Sequence, residues 1–283
     1  TPLQSARSEN VAESLREKRR CRETMASRNG FGGFGLRYEI KKEETMNTVL
    51  FDLDGTLLPM DQEAFIRLYF GALTQKFAPH GFEPEKLIQG LWAGMKAMQE
   101  NDGSKTNEDV FWQAFTGLAG ERALAYRSDF DAFYRNEFVA AKKATVCHPM
   151  AARCVHLLRE KGYRVALATN PLFPQAATWA RIEWAGLSPS DFALVTTYEN
   201  SRHCKPNPDY YRKDVLEKLG VKPEDCLMIG NDVKEDLCAE ALGMQVFLLT
   251  ETPILRDGFS LDSCEHGDFQ ALWQKLWRLQ ARR

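Results

Sequence analysis

The sequence lacks the features that would place it in several common classes of protein. No run of apolar residues approaches the roughly 20 needed to span a bilayer as a helix, and a formal net charge of −2 gives no indication of a nucleic-acid partner. The seven cysteines form no C-x-x-C pair and are odd in number, which favours reduced thiols in a cytoplasm over a disulfide framework. The five histidines do not cluster, and zinc-ligand spacing is absent. We therefore expect a cytoplasmic protein that binds no nucleic acid and no membrane, of undefined oligomeric state.

The first 45 residues differ in composition from the rest. They are rich in Lys, Arg and Glu and contain no Asp. Residues 30–35 match the pattern G-x-G-x-x-G, but no strand precedes them, so a dinucleotide site is not expected. Met46 stands directly before the first predicted strand. We expect residues 1–45 to be an extension that is disordered or not native to the protein, and the fold to begin at Met46.

Short apolar runs alternate with helix-period segments after position 145. Such alternation predicts a parallel sheet with helices on both faces, that is, a doubly wound, Rossmann-like α/β fold. Glycines at the ends of the helix-period segments are typical helix stops. Strands are predicted over 48–52, 163–169, 192–197, 226–230 and 245–250, and helices over 150–161, 174–185, 208–219 and 234–242. A last amphipathic helix, expected to pack on the sheet, carries Phe269, Leu272, Trp273, Leu276 and Leu279.

Residues 60–145 contain no convincing strand. Their apolar spacing predicts helices over roughly 61–78, 84–100, 107–118 and 121–141. This segment is too long for an ordinary crossover, so we expect a smaller all-helical cap domain at 60–145, inserted into a core domain made of 46–59 and 146–283. Most of its large side chains should form its own core and a few should face a substrate: Trp92, Met95, Met98, Trp112, Phe115, Phe133 and Tyr134.

The most informative stretch is TVLFDLDGTL at residues 48–57. Asp52 and Asp54 follow a buried strand and lie on the same side of the extended chain, at the sheet edge where α/β proteins bind ligands. Two like charges this close repel, so one carboxyl tends to hold a proton unless a cation neutralises both. This arrangement suits a nucleophile beside a general acid with a bridging divalent metal. A plain strand-turn is the alternative, because Asp and Gly favour turns by themselves.

Further polar residues follow the second, third and fourth predicted strands. The hydroxyl of Thr169 and the amide of Asn170 could hold phosphate oxygens or simply cap a helix. Lys205 could neutralise a phosphoryl group or an aspartate, or be a solvated lysine. Asp232 and Asp236 could hold Mg²⁺, or be acids that favour a helix N-terminus.

Taken in this order, the four pieces resemble the motifs of the haloacid dehalogenase (HAD) superfamily. The resemblance rests on Asp52-Leu53-Asp54-Gly55-Thr56, Thr169, Lys205, and Asp232 with Asp236, and covers about residues 46–250. It implies the strand order 3-2-1-4-5 and an α-helical cap after the first strand. It also implies that Asp52 is the nucleophile, that Asp54 is the general acid and base, and that Thr169, Asn170 and Lys205 bind the phosphoryl group. Mg²⁺ would be held by Asp52, Asp54 and Asp232, with Asp236 supporting or joining them.

The same resemblance implies a phosphate-ester reaction, because dehalogenating members lack a carboxylate at the position of Asp54. The sequence therefore predicts a Mg²⁺-dependent phosphatase that hydrolyses a small-molecule phosphate monoester through an aspartyl-phosphate. Two alternatives stay in place at this point. One is a sugar-phosphate mutase of the same superfamily, and the other is a non-catalytic module that binds a phosphorylated ligand. The sequence does not specify the substrate.

Overall fold

A parallel five-stranded sheet lies at the centre of the computed structural model, which describes residues 46–282; the predicted extension at 1–45 lies outside the described residues. The order of the strands is β2-β1-β3-β4-β5, and every pairing is parallel. The predicted α/β class is thus confirmed. The strands are β1 (Thr48–Phe51), β2 (Arg164–Leu167), β3 (Cys226–Gly230), β4 (Gln245–Leu249) and β5 (His266–Gly267).

The sheet is covered on both faces. All residues of β1 and β3 are buried, as expected for parallel strands between two layers of helices. Val49 and Phe51 belong to one apolar cluster, whereas Leu50 belongs to a second cluster that includes Met228. Alternate side chains of one strand therefore enter two separate cores, and this defines a doubly wound sheet.

The α-helices of the described residues flank the sheet or lie between β1 and β2. In the last helix, α8, Phe269, Leu272 and Leu276 are buried, which confirms the predicted amphipathic helix. The helices are α1 (Gln62–Phe77), α2 (Pro84–Gln99), α3 (Asn107–Ala119), α4 (Arg127–Arg135), α5 (Pro149–Glu160), α6 (Gln175–Trp184), α7 (Glu217–Leu219) and α8 (Phe269–Arg278). None of them is long and apolar enough to cross a membrane.

The third predicted strand, at 192–197, is reduced to one parallel bridge between Leu167 and Val195. It still runs beside β2, because the N–H of Leu167 donates to Leu194 at 2.8 Å. Its pairing is cut short by Asn200, whose side-chain amide donates to the carbonyl of Val195 at 2.8 Å and so competes with the ladder. The predicted order 3-2-1-4-5 thus describes the spatial order, and β5 is an additional strand of two residues that is too short to show a period.

The predicted helix at 121–141 is divided into three pieces. These are a 3₁₀ turn at Glu121–Tyr126, helix α4, and a 3₁₀ segment at Glu137–Ala144. The break after α4 falls at Asn136, whose side-chain amide donates to the carbonyl of Ala132 at 2.8 Å. A side chain that binds a carbonyl four residues back competes with continuation of the helix.

Two other predicted helices have tighter or wider turns than expected. Tyr210–Leu216 forms a π-helix ahead of α7, and its buried Asp214 accepts the backbone N–H of His203 at 2.9 Å, so contacts with the preceding loop set its geometry. Leu237–Leu242 is a 3₁₀ segment. It follows a turn in which the carboxylate of Asp232 accepts two successive backbone N–H groups.

The helical segment between β1 and β2 joins the sheet through two chain segments that pair with each other. Met60 and Thr145 form an antiparallel bridge. The N–H of Val146 donates to Pro59 at 2.8 Å, and the N–H of Asp61 donates to Ala144 at 2.9 Å. Both connections therefore leave the sheet side by side, next to the end of β1 that carries the aspartates.

Candidate active site

Lys205 connects two of the predicted acidic residues. Its side chain is completely buried, and Nζ donates to Asp52 Oδ1 at 2.9 Å and to Asp236 Oδ1 at 2.7 Å. Burial lowers the pKa of Lys205, but the carboxylates of Asp236 and Asp52 outweigh this effect and hold the pKa well above its usual value. The lysine is therefore a fixed cation beneath Asp52.

The turn after β1 requires a glycine. Gly55 has a φ of +82°, and a Cβ there would lie 2.3 Å from the side-chain nitrogen of Asn231. Asn231 also accepts a hydrogen bond from Thr56 Oγ1 at 3.0 Å, and the same hydroxyl lies 3.3 Å from Asp52 Oδ2. Asn231, which directly follows β3, therefore restrains the loop that carries Asp52 and Asp54.

The carboxylate of Asp54 contacts a cation that the sequence analysis missed. Arg181 of α6 is completely buried and forms an ion pair with Asp54 Oδ2, whereas Asp54 Oδ1 is buried without a hydrogen-bond partner. Burial raises the pKa of Asp54, and Asp52 adds to the rise although Arg181 opposes it. The net effect is a raised pKa, the direction that a general acid requires.

A signal for Arg181 was present in the sequence. One face of α6 carries four residues at helical spacing, and all four are buried: Ala177, Thr178, Arg181 and Ile182. A charged residue within an apolar stripe of a helix needs a partner when buried. Its partner lies 127 positions away in the chain, so the stripe could have marked the arginine but not named Asp54.

Thr169 and Asn170 follow β2 and lie in the same cleft. Thr169 is buried, and Asn170 donates to Glu235 at 2.9 Å and accepts the backbone N–H of Lys205 at 3.2 Å. Glu235, which the sequence analysis also missed, has its pKa raised by burial to about 7, although Lys205 opposes the shift. Asn170 therefore joins the loop after β2 to the loops that bear Lys205 and Asp232.

Asp232 and Asp236 have different environments. Asp232 Oδ1 accepts the backbone N–H groups of Lys234 and Glu235 at 2.6 and 3.0 Å. Asp236 is buried, and its two oxygens accept from Lys205 Nζ and from the N–H of Asp232 at 3.0 Å. Both oxygens of Asp236 are thus engaged within the protein, which favours the supporting role over direct contact with a metal.

A pocket of about 240 Å³ joins these groups to the inserted helices. One wall consists of the polar residues that follow the strands, and the other is mostly apolar. The lining residues are Asp52, Asp54, Met60, Gln62, Phe65, Ile66, Tyr69, Phe70, Trp92, Met95, Thr169, Asn170, Leu172, Phe173, Asn231, Asp232, Glu235, Asp236 and Ile254. All predicted site residues except Lys205 line the pocket. Lys205 lies behind the lining and is hydrogen-bonded to Asp52, which is a lining residue.

The charges of the pocket are out of balance. Five lining residues are acidic, and three of them contact the two nearby cations: Asp52 and Asp236 contact Lys205, and Asp54 contacts Arg181. No group of three or more His, Cys, Asp or Glu in residues 46–282 has the arrangement of a metal cage. Mg²⁺, however, usually takes one or two carboxylates and keeps several waters, and the excess of carboxylates, with Asp52 and Asp232 on adjacent strands, fits that kind of site.

Comparison with known proteins identifies the family of the chain. The model of the haloacid dehalogenase-like hydrolases matches residues 46–243, a range that contains every site residue predicted from the sequence. The chain therefore belongs to this family of hydrolases. Among curated proteins it is 26% identical to the pyrophosphatase PpaX of Bacillus cereus (strain AH820) over 189 residues, which are 66% of this chain and 75% of that protein.

Two solved structures share the fold. The HAD phosphatase from Thermococcus onnurineus has a TM-score of 0.53 at 19% identity and covers 84% of this chain and 100% of its own. The 2-haloacid dehalogenase from Pseudomonas syringae pv. Tomato DC3000 has a TM-score of 0.55 at 19% identity, over 82% and 99% of the two chains. Since one is a phosphatase and the other a dehalogenase, the shared fold does not decide the reaction.

Proposed function

We propose that the protein is a Mg²⁺-dependent phosphatase that hydrolyses a small-molecule phosphate monoester through a phosphorylated Asp52. The observation that carries the proposal is the convergence of Asp52, Asp54, Lys205 and Asp232 at one end of the sheet, with the first three linked by ion pairs to buried partners. A halide leaves without a proton, so the paired carboxylate at Asp54 favours an oxygen leaving group.

In the first step, a carboxylate oxygen of Asp52 forms a bond to phosphorus and the bond from phosphorus to the ester oxygen breaks. Lys205 and Thr56 fix the Asp52 side chain, at 2.9 and 3.3 Å, so that little reorientation is needed for attack. The Lys205 cation also offsets negative charge beside the phosphoryl group.

Asp54 supplies the proton that the departing oxygen needs. Burial raises its pKa, which is the direction that a proton donor to the leaving oxygen requires. In the second step Asp54 takes a proton from the water that attacks the phosphorus of the aspartyl-phosphate, which releases phosphate and regenerates Asp52. Arg181 holds the Asp54 carboxyl and acts as a positioning residue.

The phosphoryl oxygens would lie against Thr169 and Asn170, at the end of β2. Both residues line the pocket, and Asn170 is held by its contacts to Glu235 and Lys205. Hydrogen-bond donors that are fixed before the reaction stabilise the charge of the transferring group at little cost in reorganisation.

Mg²⁺ would be held by the side chains of Asp52 and Asp232 and by the backbone of Asp54. Asp236 would hold Asp232 and Lys205 in place through its hydrogen bonds to them. The ion would supply positive charge for a dianionic phosphate in a pocket that already contains five carboxyls. This charge excess is the structural support for the cofactor.

We further propose that residues 60–145 act as a cap over the site and 46–59 with 146–283 as the core domain. The paired segments at Met60 and Thr145 would be the hinge region, and closure would exclude water during the first step. The cytoplasmic location and the lack of nucleic-acid and membrane partners stay predictions from composition.

The relationship to a pyrophosphatase makes cleavage of a phosphoanhydride the second candidate. Attack by Asp52 on a phosphoanhydride would follow the same steps, with phosphate as the leaving group. The two candidates therefore differ in the leaving group that the pocket must accept, and not in the catalytic residues.

Hydrolysis of p-nitrophenyl phosphate with and without Mg²⁺ tests the proposal, with Asp52→Asn and Asp54→Asn as the variants. We expect Mg²⁺-dependent turnover in the wild type and loss of steady-state turnover in both variants. The control is Asp209→Asn, at a half-buried aspartate that pairs with Lys213 and does not line the pocket. Turnover by Asp52→Asn at the rate of the wild type would refute the mechanism.

A further inference from the structure

We propose that the leaving group of the substrate is uncharged and largely apolar, such as an alkyl or aryl alcohol, rather than a second phosphate, a carboxylate or a sugar. The inference rests on the proposed phosphatase function and specifies which esters the site takes. It is carried by the wall of the pocket opposite the catalytic aspartates.

That wall is built mostly from apolar side chains. The inserted helices α1 and α2 contribute Phe65, Ile66, Phe70, Trp92 and Met95 to the lining. Gln62 and Tyr69 of α1 also line it, and the Tyr69 hydroxyl is already hydrogen-bonded to Tyr134 at 2.6 Å. Within a lining of this kind, a leaving group gains free energy by removing apolar surface from water. A hydroxyl-rich sugar would instead lose several hydrogen bonds to water, and on this wall Gln62 could replace only some of them.

Apart from the proposed Mg²⁺, which faces the transferring phosphoryl group, no described side chain that lines the pocket offers a countercharge to an anionic leaving group. Of the described residues that line it, none is Lys, Arg or His, and five are Asp or Glu. The two nearby cations, Lys205 and Arg181, are completely buried and already paired with aspartates. Pyrophosphate or phosphoglycolate would place a second negative group against the apolar wall, away from Lys205.

The mouth of the pocket leaves large apolar side chains exposed. Trp92 is 47% exposed, Ile66 36% and Ile254 37%, and all three line the pocket. The ring of Trp92 is fixed edge-on against Phe70, with 5.5 Å between the centroids. Contiguous apolar surface in a cleft marks a binding site more often than chance exposure does, and its position next to Asp52 and Asp54 identifies the leaving group as the occupant.

The test is kcat/KM for the n-alkyl phosphates from methyl to hexyl, with inorganic pyrophosphate, phosphoglycolate and glucose 6-phosphate as charged or polar comparisons. The longer alkyl esters have nearly the same intrinsic reactivity, so a trend reports contacts with the pocket. We expect kcat/KM to rise about two- to fourfold for each methylene until the pocket is full, and to exceed that of the three comparison substrates by roughly a hundredfold.

Two variants on the wall connect the trend to the pocket. Trp92→Ala should lower kcat/KM for hexyl phosphate by about tenfold and leave methyl phosphate nearly unchanged. Ile66→Arg should raise kcat/KM for phosphoglycolate or pyrophosphate at least about tenfold, because it adds the missing cation. The matched controls are Trp277→Ala and Leu118→Arg. Both side chains lie outside the pocket and are exposed, by 62% and 48%, so neither change should alter the preference among the phosphate esters.

The outcomes separate the two proposals. No turnover of any phosphate ester would overturn the phosphatase function and, with it, this inference. Turnover of alkyl esters that is flat with chain length, or that is exceeded by pyrophosphate or a sugar phosphate, would overturn the apolar leaving group alone. An unchanged alkyl trend in Trp92→Ala would also overturn it.

Discussion

Replacing Lys205 by Met removes the only cation that joins Asp52 to Asp236 among the described residues. Methionine keeps the length and apolar stem of the side chain, so the change is mainly one of charge. Two carboxylates, one at 2.9 Å and one at 2.7 Å from Nζ, then remain in a buried site without their partner. We expect a large loss of stability as well as of activity.

The magnitude follows from the cost of an unpaired buried charge. Removing one member of a buried ion pair typically costs about 3–5 kcal/mol, which for a chain of this size lowers Tm by roughly 6–20 °C. The loss should be larger at pH 8 than at pH 6. Burial already raises the pKa of Asp236 and Lys205 opposes the rise, so without Lys205 the pKa rises further, and protonation at lower pH relieves the repulsion.

Unfolding in urea without added metal measures this effect, since a shift in midpoint at constant slope reports stability. Lys213→Met is the matched control, because Lys213 is 53% exposed and its pair with Asp209 is screened by solvent and should contribute little. Adding Asp236→Asn to Lys205→Met should restore part of the stability. The reasoning is refuted if Lys205→Met costs no more than Lys213→Met, or if the two changes at the site are additive.

Three further predictions concern the same site. Chelation of divalent metal should abolish turnover and leave the circular dichroism spectrum unchanged, since the core does not depend on the ion. Arg181→Met should lower the rate constant of the first step, measured before steady state, about ten- to a hundredfold for an alkyl phosphate and much less for p-nitrophenyl phosphate, whose leaving group needs no proton from Asp54. Gly230→Ala should destabilise the protein, because a Cβ there would lie 2.0 Å from Asp236 Oδ2, whereas Gly71→Ala in α1 meets nothing within 4 Å and should stabilise it by about 0.5–1 kcal/mol.

Each of these has a contradicting result. Turnover that persists after chelation would remove the metal from the reaction. An equal loss for both esters in Arg181→Met would mean that the arginine supports the fold and not the proton transfer. Equal stability of the two alanine variants in urea would show that the close approach of Asp236 to β3 is not needed.

The sequence was sufficient where a topological rule applies. The carboxyl ends of parallel strands meet at one edge of a sheet, so Asp52, Asp54, Asp232 and Thr169 could be expected together from local patterns alone. Lys205 was a candidate from its place after the third predicted strand, the resemblance then gave it a role, and the structure places its Nζ 2.9 Å from Asp52 Oδ1.

The remainder depends on packing that local patterns do not encode. Of the seven large side chains expected in the cap, Trp92 and Met95 line the pocket, whereas Phe115 and Phe133 are completely buried. All of them have similar hydrophobicity, so their orientation is set by how the helices pack. The role of Arg181 depends likewise on the approach of α6 to a loop distant in sequence.

Mass analysis of the Asp54→Asn variant with p-nitrophenyl phosphate tests the central claim most directly. Nitrophenolate leaves without a proton, so the first step should proceed, while attack of water, which needs the carboxylate of Asp54, should be slow. We predict a burst of one nitrophenolate per enzyme and one phosphoryl group on the peptide that contains Asp52. A phosphoryl group on another residue, or a variant that turns over without a burst and stays unmodified, would contradict the account.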